Sequence, residues 1–196
     1  MGKREVILET AMRLFNRDGY QAVGVDLIRD EAQVSKMTLY KYFATKDALV
    51  EAVLDLRHER FKASLLLWIS HCVNPAERLR GVFNWHLRWF SSAEFHGCMF
   101  IKAMDEFHQV EQHLATARLH KVWMRELLSS TLNDIGQGKA AEQAECLQVM
   151  LDGMIVNASL FGVSASVDGL WRYACVCAGI EYAALDAPQA NLQSVF

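Results

Sequence analysis

Apolar residues recur at helical spacing along almost the whole chain, and no alternating strand pattern of useful length interrupts them. Ile7, Ala11, Leu14 and Phe15 line one stripe of a helix predicted over Lys3–Asp18, which Gly19 ends. Two short helices follow. Ile28 and Ala32 form the inward side of the first, and Leu39 and Phe43 that of the second, Lys36–Tyr42. Thr45 caps a long helix from Lys46 to about Ser70, with Leu49, Val53 and Leu56 continuing the inward face. Asn74-Pro75 opens another helix, reaching about Phe90, with Pro75 in the first turn where its missing N–H is harmless. After a break at 91–97 the spacing predicts helices over Cys98–Phe107, Glu111–Ile135, Ala140–Phe161 and Val167–Leu185. Gly136-Gln137-Gly138 and Gly162–Ser166 separate the last three. The expected fold class is therefore all-α, about nine helices in total. A three-helix N-terminal head, residues 1–46, is joined through the long fourth helix to a larger helical domain, residues 47–196.

The second short helix has too little apolar surface to be a buried element. Gln33-Val34 makes the turn before it, and Ser35 is placed to accept its free amide hydrogens. Lys36, Met37, Thr38, Tyr40, Lys41 and Tyr42 are left facing outward, as on a recognition helix entering a DNA major groove. Thr38 and Tyr40 are placed to reach base edges or a thymine methyl, and Lys36 to donate to a guanine. Lys46 stands at the start of the fourth helix, where free amides and the helix dipole also favour an anion, and is the first candidate for a phosphate clamp. Gly24 either lets the backbone approach a phosphate or serves only as a turn residue. The plain alternative for the whole set is a solvated helix face, which two outward tyrosines on so short a helix argue against.

The ordered word Val34-Ser35-Lys36-Met37-Thr38-Leu39-Tyr40-Lys41-Tyr42-Phe43, followed by Thr45-Lys46-Asp47-Ala48-Leu49, resembles the TetR family of bacterial transcriptional repressors. The likeness is close from Lys3 to about Val53, and it implies a helix-turn-helix head in which Tyr42 offers its hydroxyl to a phosphate. Two positions depart from the family pattern. Gln33 replaces the glycine usual in the turn, and Gly24 stands where many members place a capping Thr, so that Asp26 is the expected cap of the first short helix. The resemblance also implies a homodimer built on the last two helices, reading a palindromic operator with two heads. The stripes expected there are Leu147, Met150, Leu151, Met154, Ala158 and Phe161 on one helix, and Val167, Leu170, Trp171, Ala174, Ala178 and Leu185 on the other. Both stripes also read as ordinary core.

The word Gly97-Cys98-Met99-Phe100-Ile101-Lys102-Ala103-Met104-Asp105-Glu106-Phe107 is similar to one found in a branch of the same family. That likeness implies a pocket in the larger domain whose small-molecule inducer separates the heads from adjacent grooves. Trp89, Phe100, Met104 and Trp123 are the candidate lining, and an apolar or aromatic molecule the expected inducer. Cys98 at a helix N-terminus is a candidate redox thiol, or a small residue packed behind Gly97. Cys175 and Cys177 diverge by about 200° on a helix, and His108, His113 and His120 do not make a simple chelate, so no metal and no cofactor is expected.

Composition narrows the class further. At 196 residues, with 52% hydrophobic content and two prolines, an extensive helical core is expected. The net charge of −3 argues against indiscriminate coating of nucleic acid but not against a site-specific binder. Within the head, Lys36, Lys41 and Lys46 cluster near the contact surface, with Arg13, Arg17 and Arg29 nearby in sequence. Five cysteines, no apolar signal-like region at Met1–Phe15 and no long uncharged run point to a cytoplasmic protein without a membrane span. No nucleophile-plus-base word or phosphate-binding glycine loop supports catalysis. Two other readings stay open: an enzyme using the helical pocket, and a protein-binding module whose DNA face has lapsed.

Overall fold

The computed structural model describes residues 2–107, 111–136, 138–163 and 166–186. Among them nine helices and no strands occur: α1 Lys3–Asp18, α2 Val25–Glu31, α3 Lys36–Tyr42, α4 Lys46–Ile69, α5 Pro75–Phe90, α6 Met99–Glu106, α7 Glu111–Ile135, α8 Ala140–Phe161 and α9 Ser166–Ala178. Local chemistry sets most of these bounds. Ser35 Oγ accepts the N–H of Thr38 at 3.1 Å, Thr45 Oγ1 that of Ala48 at 3.0 Å, and Asn74 Oδ1 that of Glu77 at 2.9 Å. Contacts gather the chain into two compact units, Met1–Arg60 with Cys98–His120, and Phe61–Gly97 with Lys121–Phe196.

The first unit closes around Ile7, Ala11, Leu14 and Phe15 of α1, Ile28 of α2, Leu39 of α3 and Leu49, Val50 and Val53 of α4, all buried. At roughly 1.5–3 kcal/mol for each large side chain removed from water, this core holds the short helices, which would not persist alone. Tyr20 is fully buried beside Phe15 and Phe107, and its hydroxyl donates to the carbonyl of Met99 on α6 at 3.0 Å. Burial pushes the Tyr20 phenol well above its ordinary range.

In the second unit α8 packs against α5 and α9. Phe61, Trp85 and Trp89 meet edge to face, and Phe83 lies 4.8 Å from Trp171. α8 is long and apolar enough to cross a membrane by length and composition, yet Ala144, Leu147, Leu151 and Met154 are buried in the unit.

Two expectations change here. α9 stops at Ala178, not Leu185, because Gly179 adopts φ 61° and the N–H of Ile180 reaches back to the Cys175 carbonyl at 3.0 Å. Residues 180–186 are non-helical, and there Ala183 accepts the indole N–H of Trp171 at 2.8 Å. The partner-facing stripes also shift. Leu147, Leu151, Met154 and Ala158 on α8, and Trp171, Ala174 and Ala178 on α9, are buried within their own unit and have no surface left for a second copy. Met150 and Leu170 are half-buried, and Phe161 is exposed. The outward apolar stripe of α8 is Val149, Gly153, Val156 and Leu160, displaced by two residues and hence by about 200°. On α9, Tyr173 and Val176 are likewise exposed.

Candidate nucleic-acid interface

The turn between α2 and α3 is a Schellman arrangement. The N–H of Val34 bonds to the Arg29 carbonyl at 3.2 Å and that of Gln33 to the Asp30 carbonyl at 3.1 Å. Gln33 sits at the left-handed position, φ 52°, the only non-glycine residue with positive φ among those described. The turn therefore forms without glycine. Asp26 does not cap α2. Gly24 is the N-cap and offers no side chain, while Asp26 lies inside the first turn and pairs with Arg29 at 2.9 Å and Lys36 at 3.8 Å. A Cβ at Gly24 would meet open space, and the backbone there is extended.

α3 is anchored by Leu39 and by Phe43 just beyond it, both nearly inaccessible. Its other side is open. Met37 is 81% exposed, Tyr40 41% and Tyr42 40%, with Lys36 and Lys41 also exposed. Thr38 is half-buried, and its Oγ1 lies 2.8 Å from Ser35 Oγ, so Ser35 serves both as the helix cap and as a partner for the Thr38 hydroxyl. Lys46 is half-buried at the N-terminus of α4, and partial burial lowers its pKa against the opposing fields of Glu106 and Asp47.

The arginines near the head do not add free charge in the way their sequence proximity suggests. Arg13 pairs with Glu31, Arg17 with Asp18 at 2.7 Å, and Arg29 with both Asp26 and Asp30. Only the Arg13–Glu31 pair joins different helices and is invisible to the periodicity; Arg17 and Arg29 pair with close sequence neighbours.

The candidate ligand residues do not share one unit. In the first, Phe100 is buried and stacks on His120 at 3.9 Å, while Met104 is 56% exposed. In the second, Trp89 is buried with Phe61, Trp85 and Phe95, and Trp123 lies half-buried 6.2 Å from Phe61. A separate cleft of about 290 Å³ in the second unit is bordered by Trp68, one of the aromatic residues of the larger domain, and by His71, Arg80 and Asp186, which the sequence did not single out. Cys98 is the N-cap of α6 and buried, packed rather than open to solution. Among the described residues no group of three or more His, Cys, Asp or Glu side chains could hold a metal; His108 lies outside them. His113 faces Asp47 at 3.5 Å through Nε2 and Glu51 at 4.0 Å through Nδ1, opposite edges of the ring that cannot converge on one ion, and His120 Nδ1 lies 3.2 Å from His58 Nδ1.

A compact three-helix head with a capped, outward-facing third helix defines a helix-turn-helix protein. Residues 7–53 match the family model for bacterial regulatory proteins of the tetR family. An uncharacterized HTH-type transcriptional regulator of Mycobacterium tuberculosis is 36% identical over 73 residues, 37% of this chain and 36% of that protein. The HTH-type transcriptional repressor KstR2 of the same species is 30% identical over 104 residues, 53% of this chain and 50% of that one. The chain thus spans about a third to a half of the length of these relatives. The crystal structure of SCO4454, a TetR-family transcriptional regulator from Streptomyces coelicolor, superposes with a TM-score of 0.80 at 25% identity, covering 90% of this chain and 86% of that one. Residues 7–53 thus carry the DNA-binding head of the tetR family of bacterial regulatory proteins, and the described fold is similar to that of a solved TetR-family transcriptional regulator.

Proposed function

We propose that the protein is a sequence-specific DNA-binding regulator that acts as a repressor in the cytoplasm, without catalysis, and is released by a small molecule. The observation that carries this is the exposure of Met37, Tyr40 and Tyr42 with Lys36 and Lys41 on a helix anchored by Leu39 and Phe43. Such a face presents donors, rings and charge to base edges and phosphates. The likeness to KstR2, a named repressor, supports the sign of regulation. In this reading residues 1–46 are the DNA-binding head and 47–196 the domain for ligand and partner. Two copies associate through Val149, Val156, Leu160, Tyr173 and Val176, so that two heads read a palindrome with half-sites about one helical turn apart. The inducer is an apolar or aromatic molecule that prefers the conformer whose heads do not match adjacent grooves.

Selection of genomic fragments on the purified protein tests the reading, with a Tyr40→Ala, Lys46→Ala double mutant as control. An enriched inverted repeat that the mutant fails to retain is the expected result. No enrichment, even after refolding from denaturant to strip bound ligand, would leave the protein-binding module with a lapsed DNA face as the better account.

A further inference from the structure

Arg4 lies on the first turn of α1, outside the helix-turn-helix, yet its guanidinium carbon sits 5.3 Å from the centroid of the Phe43 ring. Phe43 closes α3, and Lys46 follows three residues later at the start of α4. Stacking uses the flat face of the guanidinium and leaves its N–H groups free around the edge. The other arginines of the head are differently engaged: Arg13, Arg17, Arg29 and Arg60 pair with carboxylates, and Arg57 is buried. Arg4 is exposed and has no carboxylate partner among the described residues, and the neighbouring Glu5 carboxylate turns back to the N–H of Gly2 at 3.3 Å. The ring of Phe43 therefore holds an un-neutralised fork of donors at the end of the recognition helix.

We propose that Arg4 binds a backbone phosphate of the DNA duplex at the edge of the groove that α3 enters, with Phe43 setting its position. This rests on the reading of α3 as the recognition helix. The phosphate contact is sequence-independent, so Arg4 adds affinity and registers the head on the duplex without choosing bases. An arginine suits the place because a guanidinium can stack and bind a phosphate in two-pronged fashion at once, which a lysine cannot.

The test is the salt dependence of binding, measured by fluorescence anisotropy on a duplex carrying the selected repeat and on a random duplex. Wild type, Arg4→Gln, Arg4→Lys and Arg13→Gln are compared. Arg4→Gln is expected to weaken both duplexes by about 3–10-fold and to lower the slope of log affinity against log salt by about one. Arg4→Lys should restore the slope but only part of the affinity, and Arg13→Gln should leave the slope unchanged. Arg4→Gln and Arg4→Lys should unfold close to the wild-type temperature, since Arg4 is exposed. A wild-type slope retained by Arg4→Gln would overturn the phosphate contact while leaving the DNA reading intact. Salt-independent binding, or none, by wild type itself would overturn both.

Discussion

Glu106 on α6 closes over the backbone of Tyr20 in the connection between α1 and α2. Its Oε1 accepts the Tyr20 N–H at 3.0 Å and its Oε2 the Gln21 N–H at 2.6 Å. Gly19, at φ 87°, both ends α1 and admits the carboxylate, because a Cβ there would lie 2.9 Å from Oε1. Two further bonds join the same parts of the chain: Lys102 Nζ donates to the Asn16 carbonyl at 2.6 Å, and Tyr20 to that of Met99. Residues 79–86 positions apart are thus stitched together within the first unit.

Glu106→Ala should therefore loosen the head rather than α6 alone. Losing a carboxylate that serves two backbone donors is expected to cost about 1–3 kcal/mol. Denaturant midpoints would measure the loss, and amide exchange would localise it. Exchange at Tyr20 and Gln21 no faster than in wild type would refute the assignment.

Gln33 holds a backbone conformation that glycine adopts at little cost. Gln33→Gly is expected to stabilise the protein by about 0.5–1 kcal/mol, and Gln33→Val to destabilise it by more than about 1 kcal/mol. Thermal unfolding reads both. The DNA affinity of Gln33→Gly should match wild type, since the Schellman bonds are made by backbone atoms.

His86 sets a pH limit on the second unit. It is buried among Phe61, Trp85, Trp89 and Phe90, its Nδ1–H donates to the Val82 carbonyl at 2.8 Å, and burial pushes its pKa down to about 4. The unfolded chain binds this proton near pH 6.5, so between the two values the unfolded state carries more protons and stability rises with pH. The contribution is fully present above about pH 6.5 and is lost as pH falls toward 4, up to about 3 kcal/mol. Urea unfolding across that window should show the slope, and His86→Leu should flatten it. An equal slope in the variant would assign the acid sensitivity elsewhere.

The exposed α8–α9 stripe predicts which substitutions separate two copies. Leu160→Glu or Val156→Glu should give monomers by sedimentation with the fold retained, because both side chains face outward. Leu147→Glu should instead unfold the protein, since it would bury a charge in the core. Dimers that persist in Leu160→Glu and Val156→Glu alike would place the association on another surface.

Much of the helix layout was legible from local signals. Ser35, Thr45 and Asn74 cap the helices that the spacing predicts, and α1, α5, α7 and α8 end where the pattern ends. The early stop of α9 was also legible, in Gly179, and was overridden by an apolar run that continued past it. The outward side of α3 followed from its lack of apolar residues. The side of α8 that faces its own core did not, because both sides are apolar and periodicity only says that stripes exist.

The sequence by itself determined where helices begin and end and which short helix stays polar, because caps, turns and periodicity act over three to five residues. Tertiary structure decided that Arg13 is neutralised by Glu31, which stripe of α8 is spare, that Glu106 grips the turn at Tyr20, and that Arg4 stacks on Phe43. Each depends on how separate segments pack, and only packing of the core brings such groups within reach.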